Sequence, residues 1–255
     1  MFTNNLIINI IKMLGRVKMI EIKNVTKKYG EKVALNNLSL TIEAGDIFAF
    51  VGHNGAGKTT CIKCMTDIIE MDSGDILYDG VSVKSSPISC KKNLAYIPDN
   101  PDLYEFLKGI KYLNFIADLY EMDDSRLEKI EFYAEEFELK DVLANPIGSY
   151  SHGMKQKLAL ISAFMHAPKY LILDEPFVGL DPVASHKLKN HMKELTKRGT
   201  SIFFSTHVLE VAEKLCNKIA IIKDGNLVVM GEMKKVLKDK SLEDIFMELQ
   251  DEKFD

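Results

Sequence analysis

The sequence predicts an α/β protein: a core with a parallel sheet, an antiparallel β portion and a helical subdomain. Three observations carry this. Short unbroken apolar runs (Ile47 to Val51, Leu171 to Leu173, Ile202 to Phe204 and Ile219 to Ile222) have the length and composition of strands buried on both faces. Helix-length segments separate them, which is the alternation of a parallel sheet. Asp79-Gly80 and Asp224-Gly225 are tight-turn dipeptides of the kind that join antiparallel strands.

Taken in order, residues 1–18 read as an N-terminal extension. The cations Lys12, Arg16 and Lys18 follow the apolar stretch Leu6 to Ile11, and no small-residue cleavage site appears. That is not the pattern of a secretory leader. Met13 and Met19 are both candidate starts. The motif-bearing body runs over 19–232 and opens with Met19-Ile20-Glu21-Ile22. Inside it, residues from about 100 to 168 change character. Leu107, Ile110, Tyr112, Leu113, Phe115, Ile116 and Leu119 recur at helical spacing and strand signals are few, so a helical subdomain is inserted between core strands. Residues 233–255 read as a charged helical tail. No internal repeat or low-complexity segment interrupts the chain.

The 255 residues are 46% hydrophobic and 27% charged, an ordinary globular composition with enough apolar material for a sizeable core. The formal charge is −4, from 33 Lys and Arg against 37 Asp and Glu. That argues against a dedicated nucleic-acid binder, and no nucleic acid is expected as partner. Lysine doublets such as Lys27-Lys28, Lys91-Lys92 and Lys234-Lys235 are scattered and read as solvated faces. No apolar run approaches the roughly 18 residues that a membrane-spanning helix needs. The expected compartment is therefore the cytoplasm. Cys61 and Cys64 form a C-x-x-C, a spacing that redox or zinc chemistry also uses. With Cys90 and Cys216 isolated, these four read as core cysteines.

The strongest local signal follows the first apolar run. Gly52-His53-Asn54-Gly55-Ala56-Gly57-Lys58-Thr59-Thr60 satisfies G-x-x-x-x-G-K-[ST]. The glycines let the backbone curl so that successive N–H groups face an anion. Lys58 supplies a point charge for β- and γ-phosphates, and the Thr59 hydroxyl can ligate Mg²⁺. A helix starting near Gly57 aims its positive end at the same place. This is a nucleotide cradle, with a nucleotide phosphate chain and Mg²⁺ as the expected ligands. Tyr170-Leu171-Ile172-Leu173-Asp174-Glu175 supplies the far side. Asp174, at a strand end, is placed to hold Mg²⁺, and Glu175 can activate the attacking water.

Such loops serve kinases, GTPases, helicases and transport motors, so the loop alone does not give the function. The discriminating stretch is Tyr150-Ser151-His152-Gly153-Met154-Lys155-Gln156-Lys157, before Asp174 and at the start of an apolar-striped helix. It resembles the L-S-G-G-Q signature of ATP-binding cassette (ABC) proteins, with Tyr150, His152 and Met154 replacing Leu, the first Gly and Gln. Other elements fall in that family's order. Tyr29 matches the aromatic that stacks on adenine, Gly179-Leu180-Asp181 the loop after the Asp-Glu pair, and His207 the switch histidine. The resemblance spans essentially Met19 to about Leu249.

The departures carry information. Asp99 stands where the family usually has a Gln that reaches Mg²⁺ or water. Tyr-Ser-x-Gly-Met-Lys-Gln is similar to cassettes of ABC-2-type exporters, as is Ser241-Leu242-Glu243-Asp244-Ile245-Phe246 near the end. The resemblance implies an ATP-hydrolysing transporter subunit that works as a head-to-tail dimer. ATP is then sandwiched between the cradle and Tyr29 of one copy and Ser151, Gly153 and Met154 of the other. Glu175 and His207 then carry hydrolysis with Lys58, and Thr59, Asp99 and Asp174 surround the Mg²⁺. It also implies a separate membrane permease, which places the subunit on the inner face of the cell membrane. The alternative is a soluble ABC ATPase acting on ribosomes or DNA, or a cassette that binds ATP without hydrolysing it. The intact Lys58, Asp174, Glu175 and His207 speak against the last.

Overall fold

The computed structural model describes residues 19–251. The proposed extension over 1–18 and the last residues of the tail lie outside the described residues. The chain opens with β1 (Met19–Tyr29), β2 (Lys32–Glu43) and β3 (Ile47–Val51), followed by α1 (Lys58–Met65). Next come β4 (Ser73–Tyr78), β5 (Val81–Ser82), α2 (Pro87–Lys91) and β6 (Leu94–Ile97). Helices α3 (Gly109–Leu119), α4 (Arg126–Glu136) and α5 (His152–Phe164) then precede β7 (Tyr170–Asp174). Further on are α6 (Pro182–Lys197), β8 (Ser201–Thr206), α7 (Leu209–Leu215), β9 (Lys218–Lys223) and β10 (Asn226–Glu232). Helices α8 (Met233–Leu237) and α9 (Leu242–Asp251) close the described chain.

Two sheets result. One is antiparallel in the order β2-β1-β4-β5, and the other has six strands in the order β10-β9-β3-β8-β7-β6. In the second, β6, β7, β8, β3 and β9 are parallel, and only β10 turns back through Asp224-Gly225. Asp79-Gly80 likewise turns β4 into β5. Both hairpins are as the dipeptides predict.

The unbroken apolar runs are explained by burial on both faces. Along β3, Ile47, Ala49 and Val51 join a core shared with α3 to α7, whereas Phe48 and Phe50 join a second core shared with α1 and the antiparallel sheet. Alternate residues of a strand point to opposite faces, so a strand covered twice has no polar register. Phe203 on β8 anchors the second core, with its ring centroid 5.7 Å from that of Phe48 and 5.3 Å from that of Phe50. All four cysteines are buried and unpaired. Burial pushes the Cys216 thiol well up and that of Cys64 to about 11, as expected of core cysteines.

Phe203→Ala should lower the unfolding free energy by about 3–5 kcal/mol, the usual cost of emptying a buried phenylalanine site. Phe106→Ala, at a position 81% exposed, should change it by no more than about 0.5 kcal/mol. Urea denaturation of the two variants measures the difference.

Candidate functional site

Strand register assembles the site. Val51 lies opposite Thr206, Asp174 opposite Ser205, and Ile97 opposite Leu173. The carboxyl ends of β3, β8, β7 and β6 are therefore level. The segments that leave them, at Gly52, His207, Glu175 and Pro98-Asp99, emerge along one edge. In open parallel sheets this edge is where ligands bind.

The loop after β3 curls as its glycines require. Gly57 has φ +113° and a Cβ there would stand 2.4 Å from the Ala34 carbonyl. A Cβ on Gly52 would stand 2.5 Å from the Ile222 carbonyl. Both positions exclude any other residue. Ala56 is buried, and its carbonyl accepts a hydrogen bond from Gly225 N at 2.9 Å, which ties the loop to the β9–β10 turn. His53 Nε2 faces Asp224 Oδ1 of that turn at 3.4 Å. A cleft of about 320 Å³ opens over the loop, lined in part by His53, Asn54, Gly55, Gly57, Lys58, Thr59 and Thr60. Tyr29, Asp99 and Glu175 line it too, so residues from four separate stretches meet there. The Tyr29 ring is half exposed, with Lys27 Nζ 5.5 Å from its centroid. Larger clefts, of about 360, 540 and 630 Å³, lie elsewhere among the described residues and contain no part of the glycine loop.

Lys58 is buried, and its Nζ donates to the Gly52 carbonyl at 2.7 Å and the His53 carbonyl at 3.4 Å. It also lies 3.6 Å from Glu175 Oε1. The ammonium is thus held at the floor of the cleft, where a phosphate oxygen would replace weaker partners.

Asp174 and Glu175 share one organiser, Ser205. Its hydroxyl donates to Asp174 Oδ1 and accepts from Glu175 N at 3.0 Å. Sequence reasoning did not single it out as a site residue. The available signal was the hydroxyl pair Ser205-Thr206 ending an apolar strand directly before His207. Asp174 is 1% exposed and its Oδ2 has no hydrogen-bond partner. Burial raises the pKa of this carboxyl, the Ser205 and Thr59 hydroxyls pull it back, and Asp99 and Glu175 push it up again. A buried, unsatisfied carboxylate oxygen beside a threonine hydroxyl is a hard-oxygen donor set that suits Mg²⁺. Asp99 is exposed, and its Oδ1 accepts from Asn100 N at 2.8 Å.

Glu175 has φ +47°, a left-handed conformation uncommon outside glycine. Such strain gathers at functional sites. The side chain is clamped from both sides. His207 Nδ1 is 3.0 Å from Oε2 and His207 N donates to the same oxygen at 3.3 Å, opposite the Lys58 contact. These contacts hold the Glu175 carboxylate at the cleft, where it can accept a proton from a water.

Ser151, Gly153 and Met154 do not line this cleft. They sit at the start of α5, where Ser151 Oγ accepts from Met154 N at 3.3 Å and caps the helix. Nearby, Lys157 Nζ pairs with Asp181 Oδ2 at 2.8 Å. That lysine and the Ala184 N–H hold the Asp181 carboxyl down to about 2. The sequence-predicted residues therefore form two groups, one around the cleft and one at the start of α5.

Comparison with known proteins gives a consistent picture. Residues 35–178 match the family model described as "ABC transporter". The uncharacterized ABC transporter ATP-binding protein YhcH of Bacillus subtilis (strain 168) is 38% identical over 85% of this chain and 70% of its own length. The SkfA peptide export ATP-binding protein SkfE of the same organism is 35% identical over 83% of this chain and 88% of its own. A solved structure described as an ATP binding subunit of an ABC transporter superposes with a TM-score of 0.87 at 32% identity, covering 91% of this chain and 99% of that one.

Lys58→Ala removes the ammonium from the cleft floor. Hydrogen bonds to charged groups are worth about 1.5–3 kcal/mol, so ATP affinity should fall by about 10- to 100-fold. Equilibrium titration with ATP checks this, and unchanged affinity would remove Lys58 from the phosphate site.

Proposed function

Because the chain belongs to the ABC transporter ATP-binding family, we propose that it is the ATP-hydrolysing subunit of an ABC-2-type exporter. The observation that carries hydrolysis is the clamp on Glu175: a carboxylate at the cleft, in a strained backbone conformation, held by His207 and Lys58. Glu175 accepts a proton from the attacking water, and His207 keeps Oε2 oriented while that proton arrives. Lys58 and the loop N–H groups bind the phosphates, and Tyr29 offers its ring to the adenine. Thr59 and Asp174, with Asp99 at the rim, would hold Mg²⁺, which supplies charge neutralisation at the phosphates.

The cradle has no second wall. Ser151, Gly153 and Met154 form a capped helix start with no lysine of the loop type, away from the cleft. We read this as half of a composite site completed by a second copy packed head to tail, in which ATP bridges the two surfaces. Closure on ATP and opening after hydrolysis then drive a separate membrane permease. Among the described residues no helix is long and apolar enough to cross a membrane, which accords with a pathway supplied by that partner. The subunit would sit on the cytoplasmic face through it. Export, rather than import, is supported by the Tyr-Ser-x-Gly-Met pattern and by the likeness to a peptide-export subunit.

For organisation, we propose a nucleotide-binding unit over 19–232 with the helical subdomain at about 100–168, the extension over 1–18 and the tail from 233. The subdomain presents Phe106, 81% exposed, and the half-exposed Tyr104 and Phe115, with the Tyr104 centroid 6.0 Å from each of the other two. An aromatic cluster this open, a few residues after Asp99 in the chain, is a docking surface for a cytoplasmic segment of the permease.

Glu175→Gln keeps size and shape and removes the base. ATP hydrolysis should fall by about 10²–10⁴-fold, the range for loss of a general base, while ATP binding persists. Hydrolysis at the parent rate would show that Glu175 is not the base.

A further inference from the structure

His152 occupies the place where the signature usually carries its first glycine. Its imidazole is not idle in this chain. Gly179, in the loop after Glu175, has φ +79°, and a Cβ there would stand 2.6 Å from His152 Cδ2 and 2.9 Å from its Nε2. The ring therefore fills the space directly over Gly179. One residue on, a Cβ at Gly153 would stand 2.8 Å from the Gly179 carbonyl, so the first turn of α5 and this loop touch backbone to backbone. One helical turn further, Lys157 Nζ reaches Asp181 Oδ2 at 2.8 Å, and Asp181 Oδ1 caps α6 through Ala184 N at 2.8 Å. The start of α5 is thus fixed to the loop at Gly179 and at Asp181.

The other end of the same loop is Glu175. Val178 N donates to the Glu175 carbonyl at 3.1 Å, closing a tight turn. From Glu175 to Gly179 the turn is closed by that hydrogen bond and Pro176 has a fixed φ, so the segment moves as a short unit. A shift at Gly179 is passed to the backbone that aims the Glu175 carboxylate.

We propose that His152 is a positioning residue: its ring packs on Gly179 and through the 175–179 turn sets the orientation of the base Glu175. This links the start of α5, which faces a second copy, to the catalytic edge of the same chain. It rests on the reading of Glu175 as the base of ATP hydrolysis.

The test uses the full chain with ATP and Mg²⁺. In His152→Gly the turnover rate at saturating ATP should fall by about tenfold or more, since misplacing a catalytic group by about 1 Å can cost 10²-fold. Affinity of the cradle for ATP in the presence of a chelator, and the melting temperature, should stay at the parent values. His152→Phe keeps a flat ring over Gly179 and should restore most of the rate. His152→Ala repeats the test with a better helix former, should glycine lower the melting temperature. In the Glu175→Gln background, His152→Gly should cause no further loss, because the two residues act as a unit. Any of three results would overturn the inference: a parent-like rate in both His152→Gly and His152→Ala, a Phe variant as slow as the Gly variant, or losses that multiply fully in the double variant. A parent protein that binds ATP without hydrolysing it would instead refute the base assignment, and the inference with it.

Discussion

The site depends on one constraint: the parallel strands β3, β7 and β8 end level with one another. Val51, Asp174 and Thr206 finish at the same edge, so the glycine loop, the Asp-Glu pair and His207 leave the sheet side by side. A one-residue slip of β7 against β8 would carry Asp174 away from Ser205 and turn its side chain to the opposite face. The slip is prevented by the two cores, because each strand buries both its odd and its even side chains. The same packing that makes the strands uniformly apolar fixes the geometry of the charges beyond them.

Those charges work against stability. An ionised carboxylate buried like Asp174 costs several kcal/mol when it is not fully compensated, and one oxygen here has no partner. A left-handed non-glycine residue such as Glu175 costs about 1–3 kcal/mol. Ser205 offsets part of both, since one hydroxyl serves the Asp174 carboxylate and the Glu175 N–H. Lys58, itself buried, sets a positive charge 3.6 Å from Glu175 Oε1. The arrangement holds acceptors and a cation ready for a ligand that brings phosphates and a divalent metal ion.

Much of this was legible in the sequence, for specific reasons. β3 coincides with the apolar run Ile47–Val51, and both Asp-Gly turns are hairpins, because burial on two faces and left-handed turn residues leave local signatures. The cradle was legible because close approach demands glycine at Gly52 and Gly57. The long strands β1 and β2 were harder to read. Their alternation is clean only over Met19 to Ile22 and Leu38 to Glu43, and their pairing shifts register between Ile22 and Lys28, so neither strand reads at its full length. Ser205 and His152 were missed as functional residues for a related reason. Each acts through a contact with a residue distant in sequence, at Asp174 and Gly179, and the sequence shows the residue but not its partner.

The central claim is that this chain holds half of an ATP site and that a second copy completes it. The most direct measurement is the mass of Glu175→Gln in solution with and without ATP and Mg²⁺, by sedimentation equilibrium. Removing the negative charge beside the γ-phosphate while keeping ATP intact should yield a dimer with nucleotide and a monomer without it. A variant that demonstrably binds ATP yet stays monomeric at every protein concentration would contradict the composite site.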